Sequence, residues 1–127
     1  MDRNTNSLNW FEIPATDMKR AKKFYETIFG VKMEEMEMEG MLMAFFPWNP
    51  GNGKATGGLV KSKMHKPSKT GGCVIYLNAD PDLKKALGKV EKAGGKVIMP
   101  KTKIGEFGFM AFFIDTEGNR MALHSND

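Results

Sequence analysis

The four residues Met-Ala-Phe-Phe occur twice in the chain, at 43–46 and again at 110–113. The offset between the two copies is about half of the 127-residue length. Two glycines that can end helices, Gly30 and Gly95, are separated by nearly the same offset. Because independent landmarks share one offset, the chain is predicted to contain one structural unit written twice.

The order of the predicted elements is the same in both halves. In the first half, an alternating strand at Leu8–Ile13 precedes a helical pattern that ends at Gly30, and three strands follow. In the second half, a strand at Cys73–Asn78 precedes a helix predicted to start at Asp80-Pro81, with proline in the first helical position, and three strands follow again. The sequence therefore predicts an α+β fold in which two tandem βαβββ units form a curved sheet around a shared cavity.

The length predicts one domain, because a chain of 127 residues normally folds around a single core. All of residues 1–127 are assigned to this domain. Within it, unit one is predicted at about residues 8–62, a linker at about 63–72 and unit two at about 73–125.

Charge and composition exclude several classes of partner. The net charge of +4 is small, and the lysine-rich stretch Lys61–Lys69 has no interleaved aromatic residues that could stack on bases, so no nucleic-acid partner is expected. No apolar run has membrane-spanning length and the N-terminus lacks a signal-peptide pattern, so we expect a cytoplasmic protein with no membrane partner. The single cysteine, Cys73, excludes an internal disulfide and a Cys-rich zinc site.

Strand alternation divides each predicted strand into a helix-facing side and a side that faces the cavity. The cavity side is predicted to carry aromatic, apolar and amide side chains, which suit a small, flat, apolar ligand. The predicted ligand-binding residues are Trp10, Phe46, Val74, Tyr76, Asn78, Phe109, Phe113 and Ala122.

Glu12 and His124 are the candidate catalytic residues, because each lies on the predicted cavity side of its strand. A carboxylate and an imidazole can exchange protons with a substrate near neutral pH, or hold a ligand by hydrogen bonds. The alternative is structural: Glu12 pairs with Arg120 or with a lysine, and His124 is exposed near the C-terminus.

Three stretches of the chain carry a resemblance to a known family. They are Ile13–Gly30, Lys89–Gly105 and Phe112–His124, in this order and spacing. With the paired βαβββ order, they make the chain similar to the vicinal-oxygen-chelate superfamily, which includes glyoxalase I, bleomycin-resistance proteins and extradiol dioxygenases. The resemblance covers nearly the whole chain, and it is greatest to the single-domain glyoxalase-like proteins.

The resemblance implies where a metal site would be. Metal-dependent members carry ligands on the first and last strand of each unit, and these positions correspond to Trp10, the vicinity of Gly58, Val74 (or Cys73) and Ala122. None of these residues is His, Glu or Gln, and a divalent metal needs several nitrogen or oxygen donors. We therefore expect no metal at these positions and no other cofactor.

Two functions remain open from the sequence. One is a glyoxalase/bleomycin-resistance-like protein that binds a small aromatic or amphipathic molecule without a metal. The other is a lyase, isomerase or dioxygenase relative that uses a displaced metal site or acid–base chemistry by Glu12 and His124. Because relatives commonly pair, the resemblance also implies a homodimer.

Overall fold

The computed structural model describes the whole chain, Met1–Asp127, as two four-stranded sheets and two α-helices. Unit one contains β1 (Trp10–Pro14), α1 (Met18–Phe29), β2 (Glu34–Met38), β3 (Met41–Phe45) and β4 (Thr56–Lys61). Unit two contains β5 (Tyr76–Asn78), α2 (Lys84–Val90), β6 (Lys96–Lys103), β7 (Phe109–Ile114) and β8 (Arg120–Ser125). Both units have the order βαβββ, so the predicted α+β fold of two tandem units is confirmed.

The repeat extends to the hydrogen-bond pattern of the sheets. The strand order is β1-β4-β3-β2 in sheet one and β5-β8-β7-β6 in sheet two. In each sheet the first and last strands of the unit pair in parallel, and the other neighbours are antiparallel. The two Met-Ala-Phe-Phe segments begin in β3 and β7, the third strand of each unit.

Helix α1 is bounded by local signals that can be read in the sequence. Asp17 precedes the helix in an extended conformation, and its carboxylate accepts a hydrogen bond from the backbone N–H of Arg20 at 3.0 Å. Gly30 follows it with a φ of 64°, a left-handed conformation that glycine adopts readily, and donates its N–H to the carbonyl of Glu26.

Helix α2 starts at Lys84, later in the chain than Asp80-Pro81, so the predicted start was wrong. The carboxylate of Asp82 accepts a hydrogen bond from the backbone N–H of Lys84 at 2.9 Å, which places the helix start after this residue. The N–H of Leu83 donates to the Ser125 hydroxyl of β8 at 2.9 Å, and this contact fixes the same turn against sheet two. Both α1 and α2 lack the length and apolar character that a membrane crossing requires.

One apolar core joins the two units, and 19 buried residues from both of them form a single cluster. Phe24 of α1 lies against Phe113 of β7 with ring centroids 5.9 Å apart, and Tyr25 lies edge-on to Phe46 at 5.6 Å. Helix α1 therefore contacts residues of both units. Each sheet has one helix-covered face that contributes to this core and one helix-free face that points away from it.

The sequence assigned three phenylalanines to the wrong face. Phe46, Phe109 and Phe113 pack against the core on the helix-covered side, and Phe113 is completely buried. The pairing of Phe113 with Met121 of β8, itself a core residue, sets the alternation of β7 and turns Phe112 to the helix-free face. Because successive strand residues point to opposite faces, an alternation assigned one residue out of step reverses every side chain of the strand.

Glu117, in the turn between β7 and β8, holds the start of α1. Its carboxylate accepts hydrogen bonds from the backbone N–H groups of Thr16 at 2.8 Å and Asp17 at 2.7 Å, and from Nε of Arg20 at 2.7 Å. Burial alone would raise the pKa of Glu117, but the donors from Arg20, Asp17 and Thr16 outweigh it and lower the pKa to about 2. This ionised carboxylate therefore ties unit two to the first turn of the helix of unit one.

Candidate ligand-binding site

The helix-free face of sheet one carries an aromatic cluster around Trp10. The Trp10 ring lies edge-on to Phe45, with centroids 5.5 Å apart, and edge-on to Trp48 at 6.5 Å. Its indole Nε1 donates to the Glu12 carboxylate at 3.3 Å. Trp10 and Glu12 thus lie on the helix-free face, as strand alternation predicts. The phenylalanine beside them is Phe45 and not the predicted Phe46.

Glu12 has a partner that sequence reasoning missed. Its Oε1 lies 2.8 Å from Nε2 of His65, a residue assigned to the linker by sequence. The available signal was the residue count: the chain has only two histidines, so each is a candidate for any site that contains a carboxylate. No periodic pattern indicates this contact, because His65 lies outside the strands.

The helix-free face of sheet two carries His124, Tyr76 and Asn78. Nε2 of His124 donates to the backbone carbonyl of Phe107 at 2.7 Å. Glu12 and His124 therefore lie on different sheets, each with another hydrogen-bond partner, and one chain does not bring the two candidate catalytic residues into contact.

Tyr76 and Ala122 are direct neighbours in sheet two. They are paired in register across β5 and β8, and Ala122 is also opposite Phe112. The Tyr76 ring lies edge-on to Phe112 at 5.9 Å, and 49% of Tyr76 is exposed. Ala122 itself is completely buried, so Tyr76 and Phe112 supply the accessible surface at this place.

A cavity of about 960 Å³ lies between the two units. Of the predicted ligand-binding residues, Phe46, Val74, Tyr76 and Asn78 line it, whereas Trp10, Phe109, Phe113 and Ala122 do not. Most of the lining is apolar, and its apolar side chains include Leu8, Phe11, Phe29, Phe46, Ile75 and Leu77. The volume suits a small organic molecule.

Charged side chains of unit two line one part of this cavity. Lys85 and Lys89 lie one helical turn apart on α2, and neither has a carboxylate within 4.0 Å. Asp82 and Asp80 also line the cavity, but Asp82 pairs with Lys101 at 2.9 Å and Asp80 accepts hydrogen bonds from Asn126. The two lysines are therefore the cations at the cavity that have no ion-pair partner, whereas both carboxylates accept hydrogen bonds.

The positions that correspond to the metal ligands of related proteins do not fit a metal. Trp10, Gly58, Val74 and Ala122 offer no side-chain donor for a divalent cation. A Cβ atom at Gly58 would lie 2.5 Å from the carbonyl oxygen of Ala44, so this position has no room for a larger side chain. No three His, Cys, Asp or Glu side chains of the chain lie close enough together to hold an ion.

Comparisons with known proteins agree with this fold. Residues 7–123 match the sequence profile of the Glyoxalase/Bleomycin resistance protein/Dioxygenase superfamily. A Glyoxylase-like domain-containing protein of Didymella fabae is 37% identical over 120 residues, which cover 91% of this chain and 91% of that protein.

Solved structures with the same fold are more distant in sequence. A glyoxalase/bleomycin resistance protein from Albidiferax ferrireducens superposes with a TM-score of 0.69 and 16% identity, over 96% of this chain and 100% of the other. Glyoxalase I from Zea mays (V278E mutant) superposes with a TM-score of 0.66 and 17% identity, over 93% of this chain and 45% of the maize chain. This chain thus spans about half the length of the maize enzyme. From the profile match, the relative in Didymella fabae and the shared fold, the chain belongs to the Glyoxalase/Bleomycin resistance protein/Dioxygenase superfamily.

Proposed function

We propose that this protein binds a small amphipathic molecule in the cavity between its two units, without a metal ion. The observation that carries the proposal is the cavity itself. Its volume is about 960 Å³, its lining is mostly apolar, and both units contribute residues to it. The apolar part of the ligand, aromatic or aliphatic, lies against Phe11, Phe29 and Phe46. Burial of this surface supplies most of the binding free energy.

The ligand carries a negative charge at one end. Lys85 and Lys89 are the cavity cations without an ion-pair partner, and they lie one helical turn apart on α2. An anionic group placed there gains the attraction of two cations while the apolar body stays in the cavity. Aryl and alkyl carboxylates, sulfonates and phosphates share this chemistry.

A titration with 8-anilinonaphthalene-1-sulfonate tests the proposal, because this aromatic anion fluoresces strongly in apolar surroundings. We expect saturable binding of one molecule per chain. The double variant Lys85→Glu/Lys89→Glu should weaken binding about tenfold, which corresponds to about 1.4 kcal/mol and to the loss of two partly exposed ion pairs. The matched control Lys92→Glu/Lys96→Glu makes the same charge change on exposed residues away from the cavity and should bind as the natural protein does.

A variant that obstructs the edge of the cavity separates specific binding from adsorption at the surface. Ala55 is an exposed residue of the cavity lining, so Ala55→Trp should fold normally and weaken binding of the dye. Equal dye binding by the natural protein and by Ala55→Trp would overturn the proposed site.

We propose in addition that the protein acts as a homodimer. Met36, Met38 and Tyr76 are each close to half exposed on the helix-free faces, and such apolar surface favours association. A dimer that sets the helix-free face of unit one against that of unit two in the partner encloses both faces in one space. Glu12 and His124 would then approach each other, which supports acid–base chemistry of a lyase or isomerase type as the second candidate function.

A further inference from the structure

A chain of hydrogen bonds connects a serine, a histidine and a glutamate on the helix-free face of unit one. Oγ of Ser62 lies 2.6 Å from Nδ1 of His65, and Nε2 of the same ring lies 2.8 Å from Oε1 of Glu12. Glu12 belongs to β1, and Ser62 directly follows β4, the parallel neighbour of β1. The pairing of the two strands therefore brings the three side chains together from two separate parts of the sequence.

The partners of each atom determine where the protons lie. As an ionised carboxylate, Glu12 can only accept hydrogen bonds, so Nε2 of His65 donates to it. In the neutral imidazole this leaves Nδ1 without a proton, and Nδ1 therefore accepts the hydroxyl hydrogen of Ser62. The backbone N–H of Met64 donates to Oγ of Ser62 at 3.1 Å and uses one of its two lone pairs. One lone pair of Oγ remains free.

This arrangement has the three parts of an activated nucleophile. A hydroxyl is bonded to a base, and the base is oriented by a third group that stabilises its protonated form. The side chains of His65 and Glu12 are 17% and 32% exposed, so the histidine is partly shielded from water. Neither Ser62 nor His65 lines the cavity proposed above, so the two sites are distinct.

We propose that Ser62 is the nucleophile of an acyl-transfer site that cleaves esters or thioesters, with His65 as its base and Glu12 as a positioning residue. Oγ of Ser62 attacks the acyl carbon and its proton passes to Nδ1 of His65. The bond from the acyl carbon to the alcohol or thiol breaks, and the leaving group takes the proton from Nδ1. Water then attacks the acyl-serine, gives a proton to Nδ1, and releases the acid as Oγ takes that proton back.

The aromatic cluster beside the three residues points to the kind of acyl compound. Trp10 donates to Glu12, and its ring contacts Trp48, which is 49% exposed. An aromatic ester can place its ring against these indoles while its carbonyl reaches Ser62. We therefore expect a lower KM for 4-nitrophenyl benzoate than for 4-nitrophenyl acetate, two esters with the same leaving group.

The test uses the full-length protein and an alkyl fluorophosphonate, which phosphonylates activated serines with loss of fluoride. We expect one label per chain in the intact mass, and peptide mapping should place it on Ser62. The mapping needs no variant, so it decides the assignment even if a substitution impairs folding. Absence of a label on Ser62, or a label on another residue, would overturn the proposal.

Variants then test the role of each residue. Ser62→Ala should abolish labelling and the hydrolysis of 4-nitrophenyl acetate, and His65→Gln should slow both at least about a hundredfold. Ser68→Ala is the matched control, because the Ser68 hydroxyl lies in the same segment, accepts hydrogen bonds only from the backbone N–H groups of Thr70 and Gly71, and has no histidine partner. Labelling that His65→Gln leaves unchanged would contradict the role of the base.

The positioning role of Glu12 has its own readout. Glu12→Gln should lower the rate of labelling and shift its pH profile, because the amide no longer stabilises the protonated histidine. Glu12→Asp keeps the carboxylate and should restore part of the rate. An unchanged pH profile in Glu12→Gln would exclude this role, since a purely structural effect on the face would not depend on protonation.

Discussion

Tyr25 of unit one donates its phenolic hydrogen to Asp115 of unit two, with 2.7 Å between Oη and Oδ2. Both residues are buried, and burial raises the pKa of the phenol and of the carboxyl group. The side chain of Asn119 also donates to Asp115, at 2.9 Å, and to the carbonyl of Pro14 at 2.6 Å. This set of hydrogen bonds therefore links α1 and β1 of unit one to the turn between β7 and β8.

Tyr25→Phe is expected to lower the free energy of unfolding by about 1–3 kcal/mol, because it leaves a buried carboxylate without one of its donors. Urea denaturation measures the change. Tyr76→Phe is the control: its hydroxyl lies at the exposed surface, 4.0 Å from the sulfur of Met110, and its removal should change the free energy by less than about 0.5 kcal/mol. Equal losses in the two variants would contradict this interpretation.

A second pair of variants tests the faces of β7. Phe113→Ala is expected to lower the free energy of unfolding by about 3–5 kcal/mol, since its ring is completely buried against Phe24. Phe112→Ala removes the neighbouring ring from the helix-free face, where it is only partly buried, and should cost clearly less. Chemical denaturation of both variants checks the order, and a larger loss for Phe112→Ala would reverse the assignment.

The order of the elements could be predicted from the sequence because the signals for it are local. Asp17 and Gly30 mark the ends of α1, and the repeated Met-Ala-Phe-Phe marks the third strand twice. The face of that strand could not be predicted in the same way. Both of its sides are apolar, since Phe112 and Phe113 are neighbours, so alternation gives no sign of which side meets the core.

The contacts of the candidate catalytic residues depend on long-range structure. His65 reaches Glu12 only because β1 and β4 pair in parallel, and nothing near His65 in the sequence indicates that neighbour. Trp10 and Glu12 were assigned to the correct face because Glu12 puts a charge on one side of β1, whereas Phe11 and Ile13 make the other side apolar. Alternation therefore succeeded where the two sides of a strand differ in polarity.

The stability of the protein should depend on Glu117 below about pH 5. The pKa of this carboxyl is about 2 in the folded protein and near 4.5 in an unfolded chain, so ionised Glu117 stabilises the fold above about pH 5. This contribution is lost as the pH falls from about 5 towards 2. The free energy of unfolding of Glu117→Gln should therefore be about 2 kcal/mol below that of the natural protein at pH 7.

The two proteins should become more alike as the pH falls, because protonated Glu117 has no more charge than glutamine. Urea denaturation at pH 7, 5 and 3 measures this convergence. Asp115, whose raised pKa acts in the opposite direction, is present in both proteins, so its contribution cancels in the difference. A difference that stays constant from pH 7 to pH 3 would show that the lowered pKa of Glu117 does not contribute.

The metal content of the purified protein provides a further test. Trp10, Gly58, Val74 and Ala122 supply no side-chain donors, and the Gly58 position has no room for one. We therefore expect elemental analysis of protein prepared without chelators to find no stoichiometric zinc, nickel, iron or manganese. One tightly held ion per chain would contradict the proposal of binding without a metal.

The last prediction concerns the helix-free faces and the proposed dimer. At micromolar concentration, light scattering should give a mass of twice the 14.2 kDa of one chain. Tyr76→Glu places a charge on the helix-free face of sheet two, at the edge strand β5, where burial against a partner would desolvate it, so this variant should dissociate into monomers. Met64→Glu makes the same change at a residue that is 87% exposed in the segment after β4 and should remain dimeric. A Tyr76→Glu protein that keeps the dimer mass would show that this face is not the interface.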